Sequence, residues 1–125
     1  MERIDSYRDL IVWQRSMDMA ERVYELTRAY PRDELFGLVS QTRRAAVSVA
    51  ANIAEGHGRG TRGAYAGFLR IARGSLRELE THLLLAKRLQ IAATEPIDGL
   101  LMSTDEIGRM LHALISRLRE PPRTA

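Results

Sequence analysis

Residues 62–92 read RGAYAGFLRIARGSLRELETHLLLAKRLQIA, a run free of proline. Within it Tyr65, Phe68, Ala72, Ser75, Leu79, His82, Ala86 and Leu89 recur at steps of three and four, the period of one helical face. At 1.5 Å per residue the segment predicts a rod of roughly 45 Å. Thr61 is placed to cap its first turn. A rod with one apolar face must bury that face against other elements.

Working outward, prolines occur at 31, 96, 121 and 122, and glycines cluster at 56, 58, 60 and 63. These breakers leave three further segments of helical period. The first runs from Arg8 to Ala29, with Leu10, Trp13, Met17, Ala20 and Tyr24 on one face. The second runs from Glu34 to Glu55, with Asp33 as N-cap, Gly56 as a left-handed stop, and the small-sided run from Ala45 to Ala51. The last runs from Glu95 to Arg119, opened by Thr94 and closed by Pro121-Pro122. The expected fold is all-α: an antiparallel up-down-up-down four-helix bundle, one domain over residues 1–125.

Leu69, Leu76 and Leu83 widen the apolar arc of the long segment, and Leu84 lies beyond it. A core stripe needs little more than about 100° of arc. The surplus implies a subunit interface through these four leucines, or shielding by arginine stems.

The 125 residues contain no cysteine, which excludes disulfides and thiolate metal sites. The charged start lacks the apolar run of a signal peptide, and no stretch reaches the ~20 apolar residues of a membrane span. A cytoplasmic protein with no membrane contact is the expectation. The formal charge is +3, and Lys87 is the only lysine. Arginine offers a planar fork suited to phosphate, although GC-rich coding also enriches it.

Arg62, Arg70, Arg73 and Arg77 fall within about 80° on a helical wheel, with Lys87 and Arg88 near the same face and Arg59 in the preceding loop. A linear basic stripe suits an RNA or DNA backbone. A solvated charged face is the plain alternative. The match of Gly58-Arg59-Gly60-Thr61-Arg62-Gly63 to G-x-G-x-x-G lacks the preceding strand of a dinucleotide fold. It leaves glycine amides at a helix N-terminus, either an anion contact or an ordinary hairpin.

Gln41, Arg44, Ser48, Asn52 and Glu55 form a polar ladder along the second segment, with Ser75, Glu78 and His82 opposite. A hydrogen-bonded network that sets helix register is the leading reading, a small-ligand pocket the other. A di-iron bundle needs Glu-x-x-His on two helices. Glu78 with His82 stands at the wrong spacing, so neither a metal, nor a cofactor, nor a catalytic set is expected.

Four stretches then point to a family: residues 9–14 (DLIVWQ), 41–45 (QTRRA), 52–56 (NIAEG) with Arg59 following, and 72–80 (ARGSLRELE). In this order and spacing, over roughly residues 6 to 118, the chain closely resembles the bacterial 23S rRNA intervening-sequence proteins. The resemblance implies a four-helix bundle that assembles as a ring, typically a homopentamer. A related branch comprises accessory proteins of diversity-generating retroelements, basic pentamers that bind a reverse transcriptase and nucleic acid. The leading expectation is a non-enzymatic, self-associating nucleic-acid-binding protein. A scaffold for a protein partner is the second.

Overall fold

The computed structural model describes residues 6–119, and those residues contain four long helices and no strand. They are α1 (Ile11–Thr27), α2 (Ser40–His57), α3 (Arg62–Arg88) and α4 (Thr94–Arg119). Each packs on two neighbours in the cycle α1–α2–α3–α4–α1. The α1–α2 seam and the α3–α4 seam therefore lie on opposite sides of the molecule. No described helix is long and apolar enough to cross a membrane.

One apolar cluster fills the centre, drawing Met19 and Val23 from α1, Val49 and Ile53 from α2, Leu76 and Leu79 from α3, and Ile107 and Leu111 from α4. Burying a leucine of this kind contributes about 1.5–3 kcal/mol. The buried hydroxyls of Ser16, Thr27 and Thr42 each donate to the carbonyl four residues back, at 2.7, 2.8 and 2.6 Å. That pairing lets polar side chains sit inside without an unmet donor.

The helix ends differ from the sequence expectations in ways that physics explains. Ser6 caps a short 3-10 turn, Tyr7–Asp9, and α1 begins only at Ile11. Asp33 caps nothing; it sits in a second 3-10 turn, and it is the Glu34 carboxylate that accepts from Leu38 N–H. A wide turn over Leu35–Val39 follows, broken at Gly37, so α2 starts at Ser40. Gly56 does not stop α2. It lies inside the helix, buried, where an added Cβ would come within 2.6 Å of Phe68. Thr61 does cap α3, accepting from Ala64 N–H at 3.2 Å. Gln90, at φ 55°, ends α3 short of Ala92. Ile91 N–H then returns to the Ala86 carbonyl, as in a Schellman stop. The double proline at 121–122 lies outside the described residues.

The core stripe of α3 is Ala66, Leu69, Ala72, Leu76, Leu79, Leu83 and Ala86. It is turned about 60° from the face read in the sequence, leaving Phe68, Ser75 and His82 half-buried at its margin and Leu89 exposed. Leu69, Leu76 and Leu83 are fully buried within the single chain, so they hold the core and are not subunit-interface residues. Of the four, only Leu84 is exposed.

Candidate nucleic-acid interface

The turn of the α3 stripe decides where the arginines go. With the core centred on Leu76 and Leu79, Arg70, Arg73 and Arg77 stand on the flank that faces α4 and not opposite the core. They line a groove of about 520 Å³ whose other wall is Asp105, Arg109 and His112 from α4. Gly74 and Gly108 also line it. Gly108 is buried, and a Cβ there would lie 3.5 Å from Leu76 Cδ2 and 4.0 Å from Arg77 Nη1. Two mid-helix glycines thus remove side-chain bulk where the guanidinium groups converge.

The register of the two walls is set by pairs that cross the seam. Lys87 Nζ meets Asp98 at 2.8 Å. Thr104 donates to Glu80 at 3.0 Å, and Arg62 donates to the Arg117 carbonyl at 2.8 Å. Arg77 pairs with the half-buried Glu80 carboxylate at 2.8 Å. Arg109 pairs with Asp105 at 3.0 Å on exposed surface, where a pair is worth about 0–1 kcal/mol and exchanges readily. Arg70 and Arg73 have no hydrogen bond or ion pair among the described residues.

The structure thus brings three of the five sequence-derived arginines together and sets two apart. Arg59 pairs with Glu55 at 2.7 Å and lies over the Phe68 ring at 4.9 Å. Arg62 is held at the end of the seam. Arg109 and His112 were missed because nothing in α4 alone marks them. Their one signal was Gly108 beside them, a mid-helix glycine that costs about 1 kcal/mol unless something needs the space.

The polar ladder closes only at its centre. Ser48 Oγ and Ser75 Oγ share a hydrogen bond at 2.7 Å, joining α2 to α3. Asn52 Nδ2 donates to the Ser48 carbonyl at 2.8 Å and to Ser48 Oγ at 3.0 Å. Gln41, Arg44, Glu55 and Glu78 are exposed and stand outside this network. His82 Nδ1 is buried without a partner among the described residues. The same holds for the hydroxyls of Tyr30 and Tyr65, and burial pushes both phenols up, away from ionisation near neutral pH. Among the described residues no three of His, Asp and Glu gather as metal ligands.

On the opposite side, α1 and α2 enclose a second groove of about 580 Å³. Trp13, Met17 and Tyr24 form one wall, Val47, Ala51 and Ala54 the other, with Glu21 and Glu25 also lining it. Arg43 lies over the Tyr24 ring at 4.5 Å and donates to Thr27 Oγ1 at 2.8 Å, which fixes that ring.

The family model for the 23S rRNA-intervening sequence protein matches residues 8–113. The chain belongs to that family. The chain is similar to a solved structure from Bacteroides thetaiotaomicron VPI-5482, described as a protein with unknown function from the S23 ribosomal protein family. The two share 25% identity and a TM-score of 0.76, over 84% of this chain and 98% of the other. None of the functionally curated proteins compared with the chain matches it.

Proposed function

We propose that this intervening-sequence family protein is a non-enzymatic binding or scaffold protein that self-associates and contacts RNA or DNA through the α3–α4 groove. The observation that carries the reading is the convergence of Arg70, Arg73, Arg77 and Arg109 with His112 around the buried Gly108 and the exposed Gly74. Two of those guanidinium groups have no acidic partner among the described residues, so a phosphate backbone can engage them without first displacing a carboxylate.

The links at 58–61 and 89–93 are too short to carry the chain back along α2 or α3, and the longer link at 28–39 spends most of its length in tight helical turns, which supports an up-down-up-down course. It sets the start of α4 beside the end of α3, which is what lines the groove from both sides. One copy offers only a modest charge of +3. Repetition by cyclic symmetry multiplies it, and the five copies implied by family resemblance would carry about +15. The cytoplasm is the compartment where such a ring would meet RNA or DNA.

An electrophoretic shift series in rising salt tests the reading. The complex should form at about 50 mM salt and weaken by orders of magnitude by about 200 mM. No shift at any low-salt concentration would remove nucleic acid from the proposal. The second reading, a scaffold for a protein partner, rests on the α1–α2 groove, where Met17, Tyr24 and Val47 remain substantially exposed. Light scattering separates the two uses of that groove: an oligomer points to self-association, a monomer to a foreign partner.

A further inference from the structure

We infer that the α3–α4 groove selects double-stranded over single-stranded nucleic acid and reads the duplex backbone without regard to base sequence. This rests on the nucleic-acid reading above and specifies its ligand.

Proteins that hold single strands combine positive charge with aromatic platforms, and each stacked base contributes about 1–3 kcal/mol. The chain has seven aromatic residues, two Phe, one Trp and four Tyr, and none lines this groove. Trp13 and Tyr24 sit in the groove on the opposite side, and Phe68 lies under Arg59. With no Phe, Trp or Tyr platform, and only the His112 imidazole and the guanidinium planes as flat groups, affinity comes chiefly from phosphate contacts, and phosphate density becomes the discriminating quantity. From Arg70 to Arg77 the helix rises about 10 Å. Duplex DNA presents about six phosphates over that length of axis and one of its strands about three.

The groove also lacks the means to read bases. Bidentate contacts to base edges require side chains presented on an element that enters the major groove. Here the guanidinium groups stand at the rim between two packed helices, with Gly74 and Gly108 between them. A ridge of backbone fits such a furrow; a base edge buried within a duplex groove does not reach it. The exposed pair Arg109–Asp105 can open, adding a third guanidinium group to Arg70 and Arg73 as the backbone seats, while Arg77 stays with the half-buried Glu80 carboxylate that Thr104 also holds.

The test is fluorescence anisotropy at about 50 mM salt with three probes: a 20-bp DNA duplex, a 40-nucleotide oligo-dT strand of matched phosphate number, and polyglutamate of similar charge. The duplex should bind at least about tenfold tighter than the strand, and equally in A·T-rich and G·C-rich versions. Arg109→Gln should weaken duplex binding severalfold and lower the salt slope by about one per engaged chain, with an unchanged circular dichroism melt. A strand that binds as tightly as the duplex would overturn this inference and leave the nucleic-acid reading standing. Binding to neither, or polyglutamate binding as tightly as the duplex, would overturn both.

Discussion

The two grooves are built from the same kind of seam, a pair of neighbouring helices, yet they differ in every property that recognition depends on. The α3–α4 groove is walled by guanidinium groups, an imidazole and the Asp105 carboxylate beside two glycines. The α1–α2 groove has walls of tryptophan, methionine, tyrosine and valine beside alanines. They lie on opposite sides of the helix cycle. The difference teaches that the bundle itself is neutral about function. Its core needs only the inward stripes, and the outward seams are free to be charged on one side and greasy on the other. A molecule of this form can bind its own kind or a protein with one face and leave the other open to a polyanion.

The largest expected effect separates core from groove. Leu76 lies directly beneath the basic groove, fully buried against Gly108. Leu76→Ala should cost about 2–5 kcal/mol of folding stability, as buried leucine truncations do, measured by chemical denaturation. A change under about 1 kcal/mol that instead altered oligomer size would restore Leu76 to a subunit interface and undo the division drawn above.

Next in size is the charge on the open face. Arg70→Glu with Arg73→Glu should lower affinity for nucleic acid by at least about 100-fold, since two backbone contacts become repulsive. Arg70 is exposed and Arg73 half-buried, and neither has a partner among the described residues, so the melting temperature should stay within a few degrees. Retained affinity in the folded variant would empty the basic groove of its role. The matching change on the other side is Val47→Glu, at a residue 45% exposed. It should reduce the particle to a single copy by light scattering while the circular dichroism spectrum is unchanged. Nucleic-acid affinity then falls only by the lost multivalency.

These contrasts mark how far the sequence could be read. Four helices, the family, the Thr61 cap and the α3 start at Arg62 were legible, because breakers and a 3-4 period are local signals. The rotation of α3 was not. Its arc of Leu69, Leu76, Leu79 and Leu83 is broad, and a wheel cannot tell which side of a broad arc faces in until the neighbouring helices are placed. That one turn moved three leucines from interface to core and brought the arginines beside α4. Arg109 and His112 were hidden for the same reason: their meaning depends on what α3 presents across the seam. The ladder from Gln41 to Glu55 failed at its ends because polar residues at a regular step line a helix surface as readily as a buried network. Only Ser48, Asn52 and Ser75 bond to one another, while Glu55 turns outward to Arg59.

The smallest effect sharpens the reading of the glycines, which separate by what they make room for. At Gly56 a Cβ would fall 2.6 Å from Phe68 Cβ and 3.2 Å from Tyr65, so α2 and α3 approach there more closely than any side chain permits. Gly56→Ala should therefore cost about 1–3 kcal/mol through overpacking. At Gly74, lining the basic groove, nothing lies within 4 Å of the added atom. Helix propensity then acts alone, and Gly74→Ala should raise stability by about 0.5–1 kcal/mol. A glycine kept in the middle of a long helix without a packing reason points to use of the space above it. If so, the stabilised Gly74→Ala protein should bind duplex less tightly, by about two- to threefold, as the added methyl crowds the phosphates in the groove. A variant both more stable and undiminished in binding would show that the groove's depth is incidental and that its arginines act as surface charges alone.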